Sequence, residues 1–264
     1  MAGATVIGVP CNTAHSPRIM DVAVAMLHEA APRVRFVHMI DAVVAFIRES
    51  LPHARTIGVL STKGTYATGL YQDALSAAGF VPLFPDEEGR ERVQQAISNT
   101  AYGIKAQSNP VTPEAHGALL AEAEKLVEQG ADAVILGCTE IPLALTEPDL
   151  HGVPLLDATK VLARALIIAF APERLKKAYD AALAAGKWKD TYAATNIEEY
   201  WAEGVQDWFN VNAEVPKPDG KHNQVNTRKE LKAYDRGLYD ILSEFFPATN
   251  EQISCHKYIN KYRK

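Results

Sequence analysis

Val9-Pro10-Cys11-Asn12-Thr13-Ala14-His15 and, far downstream, Leu136-Gly137-Cys138-Thr139-Glu140-Ile141-Pro142 decide how this 264-residue chain is read. Each string grows out of an apolar run, residues 4–9 in the first case and 131–136 in the second. Unbroken apolar runs of that length suit strands buried on both faces, as in a parallel sheet. Each string then presents a cysteine followed by a small hydrogen-bonding residue. A cysteine so placed sits at the carboxyl end of its strand, where open α/β sheets build their sites.

Working outward, residues 19–28 and 41–48 carry apolar side chains at helical spacing, with Asp41 as an N-cap of the second helix. Residues 56–60 read as a strand, 68–78 as a helix stopped by Gly79, 81–84 as a short strand and 90–101 as a helix. Residues 113–129 form a helix with Pro113 in its first turn and Gly130 as its stop. A strand at 153–156 and a helix at 159–170 complete the series. This alternation predicts an α/β fold, a parallel sheet with covering helices. Pro172 breaks it: helices follow at 173–185 and 197–209, then a polar loop at 216–226 and one or two helices within 227–246. The expected organisation is an α/β region at 1–171 and a mostly helical region at 172–264.

The net charge of −5 gives no electrostatic reason to expect nucleic acid. The Lys-rich end, 257–264, reads as a solvated tail. Three cysteines, an odd and low count, argue against a disulfide framework and for a reducing, cytoplasmic setting. The start carries no signal-like segment, and the longest apolar stretch, 161–170, is interrupted by Arg164 and too short for a bilayer, so no membrane role is expected. The eight histidines stand singly, with no pair at i and i+4, and Cys255-His256 is too sparse for a metal site.

Two cysteines facing one cleft make a two-base device. One thiolate removes a Cα proton and the opposite thiol delivers one to the other face. A lone cysteine at a strand end is ordinarily a small buried hydrophobe; two in matching strings favour chemistry. Thiolate formation requires a helix N-terminus or a neighbouring cation, and both cysteines precede expected helix starts. Asn12, Thr13 and Thr139 are candidates to donate to a substrate carboxylate, or else helix caps. His15 either assists Cys11 or makes a structural hydrogen bond, and Glu140 either assists Cys138 or occupies a first helical turn. Thr65 reads equally as a pocket or a turn residue, and Lys105 as a partner for an anionic group or a surface lysine.

These strings resemble those of the aspartate/glutamate racemase family, cofactor-independent enzymes that epimerise amino acids with two cysteines. Cys11-Asn12-Thr13-Ala14-His15 and Gly137-Cys138-Thr139-Glu140 match its two catalytic strings. Leu60-Ser61-Thr62-Lys63-Gly64-Thr65 with Leu70-Tyr71 looks like its mid-chain segment, Lys105 falls where many members carry a lysine, and Pro154-Leu155-Leu156-Asp157 with Val161-Leu162-Ala163 resembles its closing strand and helix. The resemblance covers about residues 4–170. It implies Cys11 and Cys138 as the acid/base pair. It also implies substrate contacts from Asn12, Thr13, Thr65, Lys105, Thr139 and Glu140, with His15 auxiliary. No cofactor or metal is implied; the expected partners are a small amino-acid substrate and, if the chain assembles, a second copy of itself. Members carry a βαβα unit before the first cysteine, so a truncated pocket with impaired activity is expected here. Hydantoin-racemase-like and arylmalonate-decarboxylase-like members are related readings, and the second cysteine argues against the decarboxylase. A non-catalytic fusion fragment or binding remnant is the alternative.

Residues 192–196, 199–204, 222–228 and 231–235 resemble the tail of an anthrax-lethal-factor-like zinc metallopeptidase. That resemblance implies a ligand position at Glu199 and a tyrosine near the metal at Tyr192. The H-E-x-x-H helix that supplies the other ligands and the general base has no counterpart in the chain, which counts against a zinc peptidase.

Overall fold

A computed structural model of the chain describes residues 4–170 and 172–246. Cys255, His256 and the Lys-rich end lie outside the described residues. The chain divides between Ala169 and Phe170 into two compact units.

In the first unit the apolar runs become strands. These are β1 (Val6–Gly8), β2 (Arg35–Val37), β3 (Thr56–Ser61), β4 (Val81–Leu83), β5 (Ala133–Gly137), β6 (Asp149–Leu150) and β7 (Val153–Asp157). Five of them form one sheet in the order β4-β3-β5-β7-β6, parallel except for β6, which turns back antiparallel on β7. β1 and β2 form a separate two-stranded parallel sheet. The two short pieces β2 and β6 were not legible, because two or three residues carry no periodicity.

Burial on both faces explains the apolar runs. Along β5, Val134 and Leu136 pack with Val93, Ile97, Leu119 and Leu126 of the helices Glu87–Ser98 and Pro113–Glu128. Ala133 and Ile135 face the other way, with Val43 and Ile47 of the helix Met39–Ser50, Leu75 of Leu70–Ala77 and Val161 of Ala158–Phe170. Each buried aliphatic side chain contributes roughly 1.5–3 kcal/mol. The short sheet rests on the same helix as the closing strand: a Cβ on Gly8 would lie 3.0 Å from Leu162 Cδ1.

Capping differs from expectation at one helix. Met39–Ser50 is capped by His38, whose Nδ1 accepts from the Asp41 N–H at 3.5 Å, so Asp41 lies inside the first turn. The expected helix at 68–78 is observed as Leu70–Ala77, entered through Gly69, whose φ of 67° is left-handed, and a short helix not expected from the sequence, Lys63–Ala67, precedes it. No described helix is long and apolar enough to cross a membrane.

The second unit is helical: Pro172–Ala184, Ile197–Trp208, Arg228–Tyr234 and Arg236–Phe245. Asp235 ties it together. Its carboxylate accepts from Trp188 Nε1 and Tyr200 Oη, both at 2.8 Å, while its other oxygen caps the last helix. All three are buried, so each hydrogen bond is satisfied away from water.

Candidate active site

Cys138 follows Gly137, the last residue of β5, directly, and Cys11 comes three residues after β1. Their surroundings differ. Cys11 is exposed and Cys138 is buried. The loop carrying Cys11 is folded over the Val9 carbonyl, which accepts from the Cys11 N–H and from His15 Nε2, both at 2.9 Å.

His15 therefore has no hydrogen bond to Cys11. Its buried ring lies edge-on to His38, 4.3 Å between centroids. Burial holds its pKa below the usual histidine value, outweighing the help from the Val9 carbonyl. A neutral ring donating from Nε2 is a structural histidine that shapes the cysteine loop.

The helix starts expected behind the cysteines are slight. A three-residue 3-10 turn, Thr13–His15, follows Cys11, and a four-residue helix, Ile141–Ala144, follows Cys138. A single turn aligns few peptide dipoles. Consistent with that, the Cys138 thiol is not depressed. Burial, then its hydrogen bond to Glu140, pushes it up to about 12. Cys138 is a thiol at neutral pH.

Asn12 stands at the N-cap position of the 3-10 turn but makes no side-chain capping hydrogen bond, and neither Thr13 nor Thr139 is a cap. Asn12 is buried and its Oδ1 accepts from Tyr71 Oη at 2.6 Å. Thr13 Oγ1 lies 2.8 Å from Thr65 Oγ1, which is 3.1 Å from Thr62 Oγ1, making a chain of three hydroxyls. This brings Thr65, buried, to the first cysteine string.

A second group gathers around Glu140. Its Oε2 accepts from Cys138 Sγ and from Thr139 Oγ1, both at 2.9 Å, and Lys105 Nζ is 3.7 Å from its Oε1. Burial would raise this carboxyl, but the thiol, the hydroxyl and Lys105 together hold it below the ordinary glutamate range. The proton of the pair thus resides on sulfur. Lys105 and Glu140 are partly exposed, so their ion pair is a weak restraint.

Tyr71, not among the expected site residues, joins the two groups. A Cβ on Gly137 would lie 3.0 Å from Tyr71 Cε2, so the ring lies against the residue before Cys138 while its hydroxyl reaches Asn12, the residue after Cys11. Burial first, then the Cys138 sulfur, raises the tyrosine pKa far above its usual value. The hydroxyl stays protonated and donating. A tyrosine among the buried Leu70 and Leu75 of one helix was the signal available. Asn12 Nδ2 is buried with no partner among the described residues, which leaves one amide donor uncommitted at the junction.

Glu199 and Tyr192 belong to the second unit. The Glu199 N–H is taken by the Asn196 cap at 2.8 Å, and Tyr192 is exposed beneath Lys221 Nζ at 5.6 Å. Among the described residues no group of three or more His, Cys, Asp or Glu is arranged to hold a metal.

The Asp/Glu/Hydantoin racemase family profile matches residues 1–166. The chain is 29% identical over 167 residues to a glutamate racemase of Roseiflexus sp. (strain RS-1), covering 61% of this chain and 55% of that one. It is 30% identical over 142 residues to a glutamate racemase of Deinococcus radiodurans, covering 53% and 43%. Among solved structures it is similar to an aspartate racemase of Picrophilus torridus, with 25% identity, a TM-score of 0.49 and coverage of 63% and 62%. A putative Asp/Glu racemase from Yersinia pestis gives 30%, 0.48, 62% and 66%. The chain spans about half the length of these two glutamate racemases. The metallopeptidase resemblance of the second unit finds no support in these comparisons.

Proposed function

Because this chain belongs to the Asp/Glu/Hydantoin racemase family, we propose that its two cysteine strings form a cofactor-independent amino-acid racemase centre acting on a small acidic amino acid. The observation that carries the reading is Tyr71, which touches both strings. Cys138, protonated at rest, is the acid, and Cys11 is the base on the opposite face. In the first half-reaction the Cys11 thiolate takes the Cα proton. The electron pair left on Cα delocalises into the substrate carboxylate, and the Cys138 proton is delivered to the other face. The reverse reaction exchanges the roles.

A Cα proton is very weakly acidic, so donors aimed at the carboxylate matter most. The uncommitted Asn12 amide and the Thr13–Thr65 hydroxyls are those donors in this proposal, with Lys105 drawing the anion in. Glu140 is a positioning residue that holds the thiol by its hydrogen bond. A second reading, a binding remnant without turnover, is favoured by the Cys138 thiol, which burial and Glu140 push up to about 12, away from the thiolate that the reverse reaction uses.

Exchange of the Cα hydrogen of aspartate and glutamate in heavy water, with no added cofactor, tests the proposal. Cys11→Ser and Cys138→Ser should each lower racemisation by about 10²–10⁴-fold, the range for a lost general acid or base. Either variant is expected to keep some exchange from one enantiomer, because one thiolate can remove and return a proton on the same face. Racemisation at wild-type rate in both variants would sink the two-cysteine mechanism. No exchange by the wild-type chain would leave the remnant reading.

A further inference from the structure

At the carboxyl end of β3 a cavity of about 190 Å³ opens beside the candidate centre. That is space for about six waters. Ser61, Thr65, Tyr66, Tyr71, Phe84 and Arg90 line it. Neither cysteine does, so a molecule held there is not placed for proton exchange at sulfur. One of its walls, Tyr71, touches both cysteine strings, and another, Thr65, is hydrogen-bonded to Thr13 of the first.

Arg90 is fixed in this wall. Its Nε donates to the Pro85 carbonyl at 2.9 Å, and its guanidinium carbon lies 5.2 Å from the Tyr66 ring centroid and 5.9 Å from that of Phe84. Tyr66 is itself locked, donating to the Val59 carbonyl at 2.8 Å and accepting from the Ser61 N–H at 2.9 Å. No acceptor among the described residues engages the two Nη groups of Arg90. The neighbouring buried carboxylate, Glu122, is already held by Arg92 at 2.7 Å and Lys125 at 2.8 Å. A partly buried guanidinium, packed against two aromatic rings and without a carboxylate of its own, is organised for a planar two-oxygen anion. The Ser61 and Thr65 hydroxyls supply further donors, and the rings suit a short apolar body.

We infer that this cavity is a second ligand site, distinct from the cysteine centre, that binds a small carboxylate through Arg90. A carboxylate there pairs with both Nη groups and competes for the Thr65 hydroxyl, which links the site to Thr13 and the first cysteine string.

Succinate, which has no Cα amino group and cannot be racemised, is the probe. Calorimetric titration of the full chain should show saturable binding. Arg90→Met should weaken it by at least about tenfold, the scale of a lost charge-assisted bidentate contact. Arg90→Lys should restore part of it, while Lys105→Met and Cys11→Ser should bind as the wild type does. Succinate should also protect Arg90 of the unmodified sequence from phenylglyoxal, read by mass spectrometry, which does not depend on any variant folding. Wild-type affinity in Arg90→Met, or unprotected Arg90 in saturating succinate, overturns the site. Equal weakening in Lys105→Met would place the succinate at the cysteine centre and overturns it as well. No turnover is measured, so the outcome is separate from the racemase reading.

Discussion

Cys138 keeps its proton because burial and an anionic neighbour act in the same direction. The folded thiol is pushed from an ordinary value of 9.0 up to about 12. The neutral form is therefore favoured by folding. Its contribution to stability is fully present below pH 9.0 and is lost as pH rises toward about 12. The ionisation is measurable as ultraviolet thiolate absorbance in protein carrying Cys11→Ser and Cys255→Ser. Glu140→Gln should lower the midpoint, since it removes the negative charge and keeps an oxygen to accept from sulfur. Lys105→Met should raise it, since the ammonium favours the thiolate. An unchanged midpoint in Glu140→Gln would mean that burial alone sets the value. Glu140 and Cys138, two residues apart at the end of one strand, form a matched pair in which the carboxylate fixes the direction of the S–H bond. That geometry could not be seen in the string Cys138-Thr139-Glu140, which reads equally as a strand end or a first helical turn.

The strand that carries Cys138 ends in a glycine for a packing reason. A Cβ on Gly137 would lie 3.0 Å from the Leu60 carbonyl oxygen and from Tyr71, and 3.2 Å from Ser61 Cβ. Gly137→Ala should destabilise by about 1–3 kcal/mol, the usual cost of overpacking. Gly117, exposed in the helix Pro113–Glu128 with no neighbour within 4 Å of an added Cβ, is the opposite case. Gly117→Ala should stabilise by about 0.5–1 kcal/mol through helix propensity. Urea unfolding midpoints decide both, and a neutral Gly137→Ala would show that the Tyr71 wall is looser than it looks. The same contrast shows why parts of the fold were legible and others were not. Long, doubly buried segments such as β3, β5 and the helix Pro113–Glu128 announce themselves through unbroken apolar runs, a proline start and a glycine stop. The helix Lys63–Ala67, by contrast, was not legible, because five residues are too few to show a helical period. In the site, the cysteines and their hydroxyl neighbours could be read from two short strings. Their link could not, because Asn12 and Tyr71 are 59 residues apart. For His15 the string left assistance to Cys11 and a structural hydrogen bond both open, and the ring bonds the Val9 carbonyl and lies against His38.

The chain's two units can be followed separately, because its three tryptophans, Trp188, Trp201 and Trp208, all fall in the helical one. That unit buries an unusual acidic cluster. Asn212 Nδ2 donates to Glu203 Oε2 at 2.7 Å and to Asp207 Oδ1 at 2.8 Å, and His222 Nδ1 lies 3.7 Å from Glu203. Asp207 is fully buried, and its Oδ2 has no partner among the described residues. Burial pushes this carboxyl up to about 8 despite the Asn212 hydrogen bond, with Glu203 and Glu230 adding to the rise. The sign follows from linkage. A carboxyl raised from 3.8 to about 8 on folding prefers to be protonated in the folded state. Its contribution is fully present below its ordinary value and is lost as pH climbs through about 8. Tryptophan fluorescence during thermal unfolding should therefore report a midpoint that falls from mildly acidic to mildly alkaline pH. The fall should be several degrees, since 1 kcal/mol moves the midpoint of a domain of this size by roughly 4–8 °C. Asp207→Asn, which keeps the oxygen that Asn212 needs and cannot ionise, should flatten that slope and raise the midpoint at alkaline pH. A slope that survives in Asp207→Asn would show that Asp207 does not set the pH dependence. A wild-type midpoint that stays level across the range would mean that water reaches Asp207 and solvates its charge.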